Sequence, residues 1–308
     1  MKKITIVGSG GVGSQVAYLL ASRKLVERIV LLDILKGMAQ GRAMDIYQSL
    51  PLEHGFVDVI GTDDYAKTKN SHLVIITASL VLKPGMTRED LAVKNKPIIE
   101  SVVKKIVKHS PDCILIVVSN PLDVMAKVAL KTSGFPKKRV IGMAGILDST
   151  RFRTFIAQAV KTDTRKVKAM VIGSHNETMV PLVELARVGS IPITKLLPRK
   201  KIANIVKRVR YAAIEIIKLL KTGSTIFAPA LSIYEMVDAI LKDKKQVMPC
   251  SVLLEGEYGV KNLFIGVPAV IGKKGWEKVI ELKLSVKERD QFLASVDYQR
   301  KIFRKIGI

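Results

Sequence analysis

Short apolar runs alternate with amphipathic stretches through the first half of the chain. Ile4 to Val7, Ile29 to Leu32, Leu73 to Thr77, Ile114 to Val118 and Val140 to Gly142 are apolar almost throughout. Continuous apolarity, as opposed to strict alternation, marks strands covered on both faces, the condition of a parallel sheet. Between these runs, Val12 to Ser22, Met38 to Ser49, Asp90 to Lys108 and Leu122 to Thr132 carry apolar residues at helical spacing. The alternation predicts the α/β class: a doubly wound parallel sheet of Rossmann type, with right-handed crossovers placing helices on both faces.

Past residue 143 the texture changes. Longer helical stretches follow at Ser149 to Val160, Arg199 to Thr222, Ala230 to Lys242 and Lys287 to Lys305. Strand-like pieces at Val167 to Ile172, Val252 to Leu254 and Leu263 to Gly266 predict a smaller antiparallel sheet. A chain of 308 residues exceeds the usual single core. The expected division is a dinucleotide-binding domain over 1–142 and a C-terminal α+β substrate domain over 143–308. Without a Gly/Ser linker near 143, the two are expected to pack tightly.

The first strand runs directly into Gly8-x-Gly10-x-x-Gly13, which opens a helix. In that context glycines permit a tight turn, close approach of backbone to a pyrophosphate, and close helix-to-strand packing. The helix N-terminus adds unpaired N–H groups for the anion. Asp33 ends the second strand at the offset of about 20 residues where a carboxylate reaches the ribose hydroxyls of NAD. The same charge repels a 2′-phosphate, favouring NAD over NADP, a preference that nearby Lys36 weakens slightly.

Composition changes this picture little. The formal charge of +24, from 51 basic and 27 acidic residues, raises nucleic acid or an anionic membrane as a partner. The basic residues come in small dispersed groups, the pattern of solvated helix faces, and aromatics are only 5%, so no stacking platform supports nucleic-acid binding. A basic nucleic-acid binder therefore stands as the alternative of a different class. No apolar stretch approaches the about 20 residues that span a bilayer, and "MKKITIVGSGGVG" reads as a buried first strand in place of a signal peptide. Cys113 and Cys250 are far apart, and the four histidines show no ligand spacing. Neither a disulfide framework nor a metal site is expected, and a reducing cytoplasm fits. Abundant Lys with few Asn, Gln and Cys suggests a thermophilic source.

Three segments of the sequence carry candidate chemistry. His175 follows an apolar strand in "VIGSHNETMVP"; a lone histidine is more often surface or satisfied core, but its strand-end position favours a role. "GILDSTRFR" places Asp148 and Arg151 three apart, with Asp148 or Ser149 available as a helix N-cap. If both side chains share a face, Asp148 can hold the imidazole and Arg151 can grip a carboxylate with its fork. "VVSNPLDV" sets Asn120 at the carboxyl end of a strand, where ligands sit in open α/β sheets.

With these residues in view, the chain resembles the lactate/malate dehydrogenases over essentially its whole length, most closely the malate dehydrogenases of lactate-dehydrogenase-like type. The shared segments are "GSGGVG", Asp33, "KPGMTR", "SNPLDV", "GMAGILDSTRFR", "TMVPL" and "LEGEYGVKNLFIGVP". The resemblance implies an NAD-dependent L-2-hydroxy-acid dehydrogenase of the tricarboxylic acid cycle, forming dimers or tetramers. It implies that His175 exchanges the substrate's hydroxyl proton while Asp148 fixes its tautomer, that Arg151 binds the carboxylate beside the reacting carbon, and that Arg88 polarises the carbonyl once its loop closes. Asn120 would orient the same oxygen. Gly8, Gly10, Gly11, Val12, Gly13, Asp33, Asn95, Val118 and Asn120 would line the cofactor.

Leu82 departs from the pattern. The family's malate dehydrogenases carry arginine there for the distal carboxylate, and its lactate dehydrogenases glutamine. Leucine cannot pair with a carboxylate and should welcome a methyl group, although adjacent Lys83 could substitute for the missing charge. Malate is therefore kept beside lactate or dual use. Ser79 and Asn176 also replace usual glycines; at 176 the turn is expected to survive because Asn tolerates positive φ. Tyr65 and Lys69 match the Tyr-x-x-x-Lys of short-chain dehydrogenases, but they precede a strand and the glycine spacing is wrong for that family.

Overall fold

The structure is a computed structural model that describes residues 2–53, 56–81 and 85–308. Leu82 and Lys83 thus lie outside the described residues. In chain order the first half forms β1 (Lys3–Val7), α1 (Gly11–Ser22), β2 (Arg28–Leu32), α2 (Met38–Ser49), β3 (Asp58–Thr62), β4 (Leu73–Ile76), α3 (Arg88–His109), β5 (Ile114–Val117), α4 (Leu122–Ser133) and β6 (Val140–Gly142). The second half forms α5 (Gly145–Val160), β7 (Val167–Lys168), β8 (Val171–Ile172), β9 (Val180–Pro181), β10 (Arg187–Val188), β11 (Ile191–Pro192) and α6 (Ile193–Leu196). After these come α7 (Arg199–Leu220), α8 (Phe227–Leu241), β12 (Gln246–Glu255), β13 (Lys261–Gly272), β14 (Gly275–Val279) and α9 (Val286–Lys305).

Six parallel strands pair in the order β3, β2, β1, β4, β5, β6. The order reverses between β1 and β4, so a crevice opens outside their carboxyl ends. β4 and β5 are buried at every position, as their uninterrupted "LVII" and "ILIV" require of strands covered on both faces. α3 starts with a capping box, in which Thr87 Oγ1 accepts from the Asp90 N–H and the Asp90 carboxylate accepts from the Thr87 N–H.

The expected antiparallel strands exist, but they do not form a separate sheet. β12, β13 and β14 extend the parallel sheet from its β6 edge, joined through Ser251 opposite Gly142, so one sheet of nine strands runs through the molecule. Gly142 makes that junction possible, because a Cβ there would lie 2.8 Å from both Leu122 Cδ2 and Ser251 Cβ. Among the described residues, the short β7, β10 and β11, and the β8–β9 pair, stand apart. A second apolar cluster, including Phe152, Ile156, Val171, Met179 and Ile205, fills the space between α5, α7 and these short strands. The α5 helix thereby has one face in each core.

Candidate active site

The carboxyl ends of β1, β2, β5 and β6 deliver the glycine turn, Asp33, Asn120 and the start of α5 to one side of the sheet. In the glycine turn, Gly8 has φ of +105°, and a Cβ on Gly13 would lie 1.9 Å from the Gly8 carbonyl oxygen. Only glycine lets α1 start this close to β1. No side chain caps α1 and its first turn holds no acid, which leaves its N–H groups and positive dipole end open to an anion. Asp33 follows β2 and accepts from the Ser9 N–H at 2.7 Å, the Ser9 hydroxyl at 2.8 Å and the Leu35 N–H at 3.0 Å. Burial raises the Asp33 carboxyl, but these donors outweigh it and hold it below the usual carboxylate range.

On the far wall, Asp148 is 1% exposed and bridges two side chains, those of His175 and Arg151. His175 Nδ1 lies 2.6 Å from its Oδ2, and Arg151 donates to its Oδ1 at 3.2 Å. An ionised Asp148 accepts the Nδ1 proton, which fixes the neutral tautomer with a free lone pair on Nε2. Asp148 and Arg151 share a face of α5 through their i, i+3 spacing. The capping expectation fails: α5 begins at Gly145 with Ala144 before it, so Asp148 and Ser149 lie inside the helix. Ser149 Oγ accepts instead from the Val171 N–H at 2.9 Å, tying α5 to β8.

The His175 segment is held from three directions. Gly173 and Gly266 exchange backbone hydrogen bonds, which docks the segment on β13. The Ser174 N–H donates to Ser295 Oγ of α9 at 2.8 Å, and the His175 N–H donates to Asp123 Oδ2 of α4 at 3.1 Å. The positive φ in this turn belongs to Gly173, not to Asn176; the Asn176 carboxamide oxygen accepts from the Thr178 N–H and hydroxyl, so the asparagine acts through its side chain.

Arg88, at the start of α3, donates to Glu177 Oε1 at 2.9 Å, reaching the histidine segment from the other side of the crevice. Burial raises the Glu177 carboxyl, and the hydrogen bond and charge of Arg88 more than reverse this. Asn95 is wholly buried, and its amide clamps backbone: Oδ1 accepts from the Leu80 N–H at 2.8 Å, and Nδ2 donates to the carbonyl oxygens of Leu80 and Asn120. It bears on the site by holding the Asn120 backbone. Asn120 is exposed, Val118 is half-buried, and the Asn120–Pro121 bond is cis.

Sequence reasoning missed two participants, Asp123 and Glu177. Both lie inside quoted segments, "SNPLDV" and "SHNETMVP", but their partners are 52 and 89 residues away. Asp123 is buried with Oδ1 unpartnered among the described residues, and burial pushes its carboxyl up to about 6 against the opposing Ser251 hydroxyl and His175 N–H.

The family profile described as lactate/malate dehydrogenase, NAD binding domain, matches residues 2–142, and its alpha/beta C-terminal domain matches residues 146–306. The chain belongs to the lactate/malate dehydrogenase family. A malate dehydrogenase of Chlorobium phaeobacteroides is 48% identical over 94% of this chain and 93% of its own, and one of Heliobacterium modesticaldum is 45% identical over 100% and 99%. Among solved structures, Salinibacter ruber malate dehydrogenase matches with a TM-score of 0.94 at 42% identity, covering 99% of this chain and 97% of that one. A Cryptosporidium parvum lactate dehydrogenase, complexed with lactic acid and nicotinamide adenine dinucleotide, matches at 0.97 and 40%, covering 99% and 98%. This member of the family is an NAD-dependent oxidoreductase, and its glycine turn, uncapped α1 and ionised Asp33 fit the dinucleotide.

Proposed function

We propose that the chain oxidises L-malate to oxaloacetate with NAD, and that His175, Asp148, Arg151, Arg88 and Asn120 act on the substrate. The observation that carries this is the partly buried contact of 2.6 Å between His175 and Asp148, with Arg151 on the same carboxylate. NAD, when bound, takes up or returns the hydride. His175 Nε2 takes the hydroxyl proton, and Asp148 stabilises the imidazolium so formed. Arg151 turns its remaining guanidinium donors to the carboxylate next to the reacting carbon. Arg88 exchanges Glu177 for the substrate oxygen, placing a cation where negative charge develops. Gly8, Gly10, Gly11, Val12, Gly13, Asp33 and Val118 bind the dinucleotide, and Asn95 serves them by fixing Asn120.

The division into 1–142 and 143–308 is part of the same proposal, as are the cytoplasm, the tricarboxylic acid cycle and a thermophilic source. The two buried free thiols support the reducing compartment. Among the described residues, no helix is long and apolar enough to cross a membrane. We also propose a dimer or tetramer, supported by exposed Met44 and Tyr47 on α2 and Phe227 and Leu231 on α8.

Lactate is kept as a second substrate because of Leu82 in the sequence. The test is the steady-state rate of NADH oxidation with oxaloacetate and with pyruvate, for the wild type and for Leu82→Arg. Oxaloacetate is the expected better substrate, and Leu82→Arg should raise the oxaloacetate/pyruvate ratio. An unchanged ratio would refute the role of position 82, and inactivity with both acids would refute the proposed reaction.

A further inference from the structure

A second cleft, of about 810 Å³, opens at the opposite end of the same sheet. Its walls include Lys2, His72, Asp112 and Arg139, residues at or just before the starts of β1, β4, β5 and β6. The crevice described above lies at the carboxyl ends of those strands. The cleft therefore shares no wall residue with the dinucleotide cradle or with the His175 cluster.

The lining is basic beyond what the chain's composition explains. Lys2, Lys138, Arg139, Lys273 and Lys274 share the lining with one acid, Asp112, and Asp243 beside the cleft lies 3.9 Å from Lys273 Nζ, whereas the whole chain has 51 basic residues to 27 acidic. Lys138 and Lys274 are exposed and have no hydrogen-bond or ion-pair partner among the described residues. His72 Nδ1 accepts from the Lys3 N–H at 3.2 Å, so its neutral ring carries the proton on Nε2, a further donor. The buried part of the lining, its floor, is mostly apolar: Leu73, Ile114 and Ile240 are buried, with Leu241 half-buried and the hydroxyl groups of Ser71 and Ser110 among them.

The cationic walls are built, not loosely arranged. The turn carrying Lys273 and Lys274 is pressed on the segment carrying Lys138 and Arg139. A Cβ on Gly275 would lie 2.0 Å from the Lys138 carbonyl oxygen, and Trp276 Nε1 donates to the Lys137 carbonyl at 2.9 Å. Arg139 donates to the Pro111 carbonyl at 2.9 Å and stacks on the Phe135 ring at 4.2 Å. Lys2 Nζ donates to the Leu241 carbonyl at the end of α8, which offsets the negative end of that helix.

We propose that this cleft is a second binding site, for a nucleoside triphosphate. Converging cations suit a chain of phosphoryl groups, since lysine ammonium groups bind phosphate as point charges and arginine as a fork. The mostly aliphatic floor suits a planar base, and the volume falls within the range of small-molecule sites. A simple inorganic anion would use the walls and leave the floor uncovered.

The test is calorimetric titration of ATP into the full chain with NADH at saturation, so that the dinucleotide cradle is occupied. One ATP per chain is expected to bind, with affinity falling as salt rises. The double variant Lys138→Glu/Lys274→Glu should weaken binding at least tenfold while NADH affinity and thermal midpoint stay at wild-type values; Lys138→Gln/Lys274→Gln should give a smaller loss. Tripolyphosphate should bind several-fold more weakly than ATP. Absence of ATP binding under NADH, unchanged affinity in both variants, or tripolyphosphate binding as tightly as ATP would overturn the proposal.

Discussion

The two walls of the crevice are made of different material. The cradle at Gly8 to Gly13 is backbone: its donors are main-chain N–H groups, and its shape depends on side chains being absent at Gly8 and Gly13. The wall facing it is made of side chains, with Asp148 and Arg151 from α5, His175 from the segment after β8, and Asp123 from α4. A backbone site is written into a few adjacent residues and tolerates changes in side-chain chemistry. A side-chain site is assembled from distant segments, and each member matters chemically. Substitutions on the two walls should therefore fail differently.

The largest effect is expected for His175→Ala. Removing a positioned acid–base group costs about 10²- to 10⁴-fold in rate, so kcat with oxaloacetate should drop by that much while the Kd for NADH stays within twofold. Stopped-flow turnover and fluorescence titration of NADH would measure the two. A parallel loss of NADH affinity would show that the walls are not separable.

Gly13→Ala should do the reverse. The added Cβ meets the Gly8 carbonyl oxygen at 1.9 Å, a backbone atom that cannot swing aside. Overpacking of this kind costs about 1–3 kcal/mol, and the severity of the clash points to the upper end. The thermal midpoint should fall and NADH binding weaken sharply, both measured against the wild type by thermal unfolding and fluorescence titration. Wild-type NADH affinity in this variant would remove the requirement for glycine.

The same contrast explains what could be foreseen. β1, β4, β5, β6 and the glycine turn were legible because fully buried strands and glycine spacing are local signals. β3 was missed: "DVIGT" is half-buried at the sheet edge and interrupted by Gly61. The start of α5 was missed because Gly145 reads as a breaker, although here a Cβ would lie 2.8 Å from Pro249 Cβ, so packing and not propensity selects glycine. β12 was seen only at Val252 to Leu254 because Pro249 and Ser251 break its pattern, and its pairing with β13 supplies the rest. His175, Asp148 and Arg151 are candidates from strand-end position and spacing, with their catalytic roles implied by the family resemblance; their 2.6 and 3.2 Å contacts are tertiary facts. Asp123 had no such signal, since a carboxylate in the first turn of a helix is ordinarily a dipole partner.

Asp123 allows the side-chain wall to be probed at a residue that holds His175 by its backbone N–H. Its folded-state pKa of about 6 lies above the unfolded value of about 4. A raised carboxyl means that the native state holds the proton more tightly, so its contribution falls as pH rises through this window and is unfavourable above about 6. Asp123→Asn keeps an oxygen for the His175 N–H and abolishes the titration. Urea unfolding at pH 4 and pH 7 should show the variant gaining roughly 2 kcal/mol on the wild type between the two. Equal pH dependence in both proteins would mean that folding leaves the Asp123 carboxyl unshifted.

The smallest effect is expected for Ser9→Ala, which tests the backbone wall from its other side. Asp33 accepts from both the N–H and the hydroxyl of Ser9, and the substitution removes only the hydroxyl. Asp33 is depressed in the folded state, so its contribution is present above the unfolded pKa and is lost as pH falls through the folded one. Losing one donor moves the folded value up, and the acid-unfolding midpoint should shift slightly to higher pH. A single neutral hydrogen bond contributes about 0.5–1.5 kcal/mol, less where solvent reaches the carboxylate, so stability at neutral pH and NADH affinity should change little. A loss as large as that of Gly13→Ala would place the cradle's strength in the Ser9 side chain, and the distinction between the two walls would fail at its strongest point.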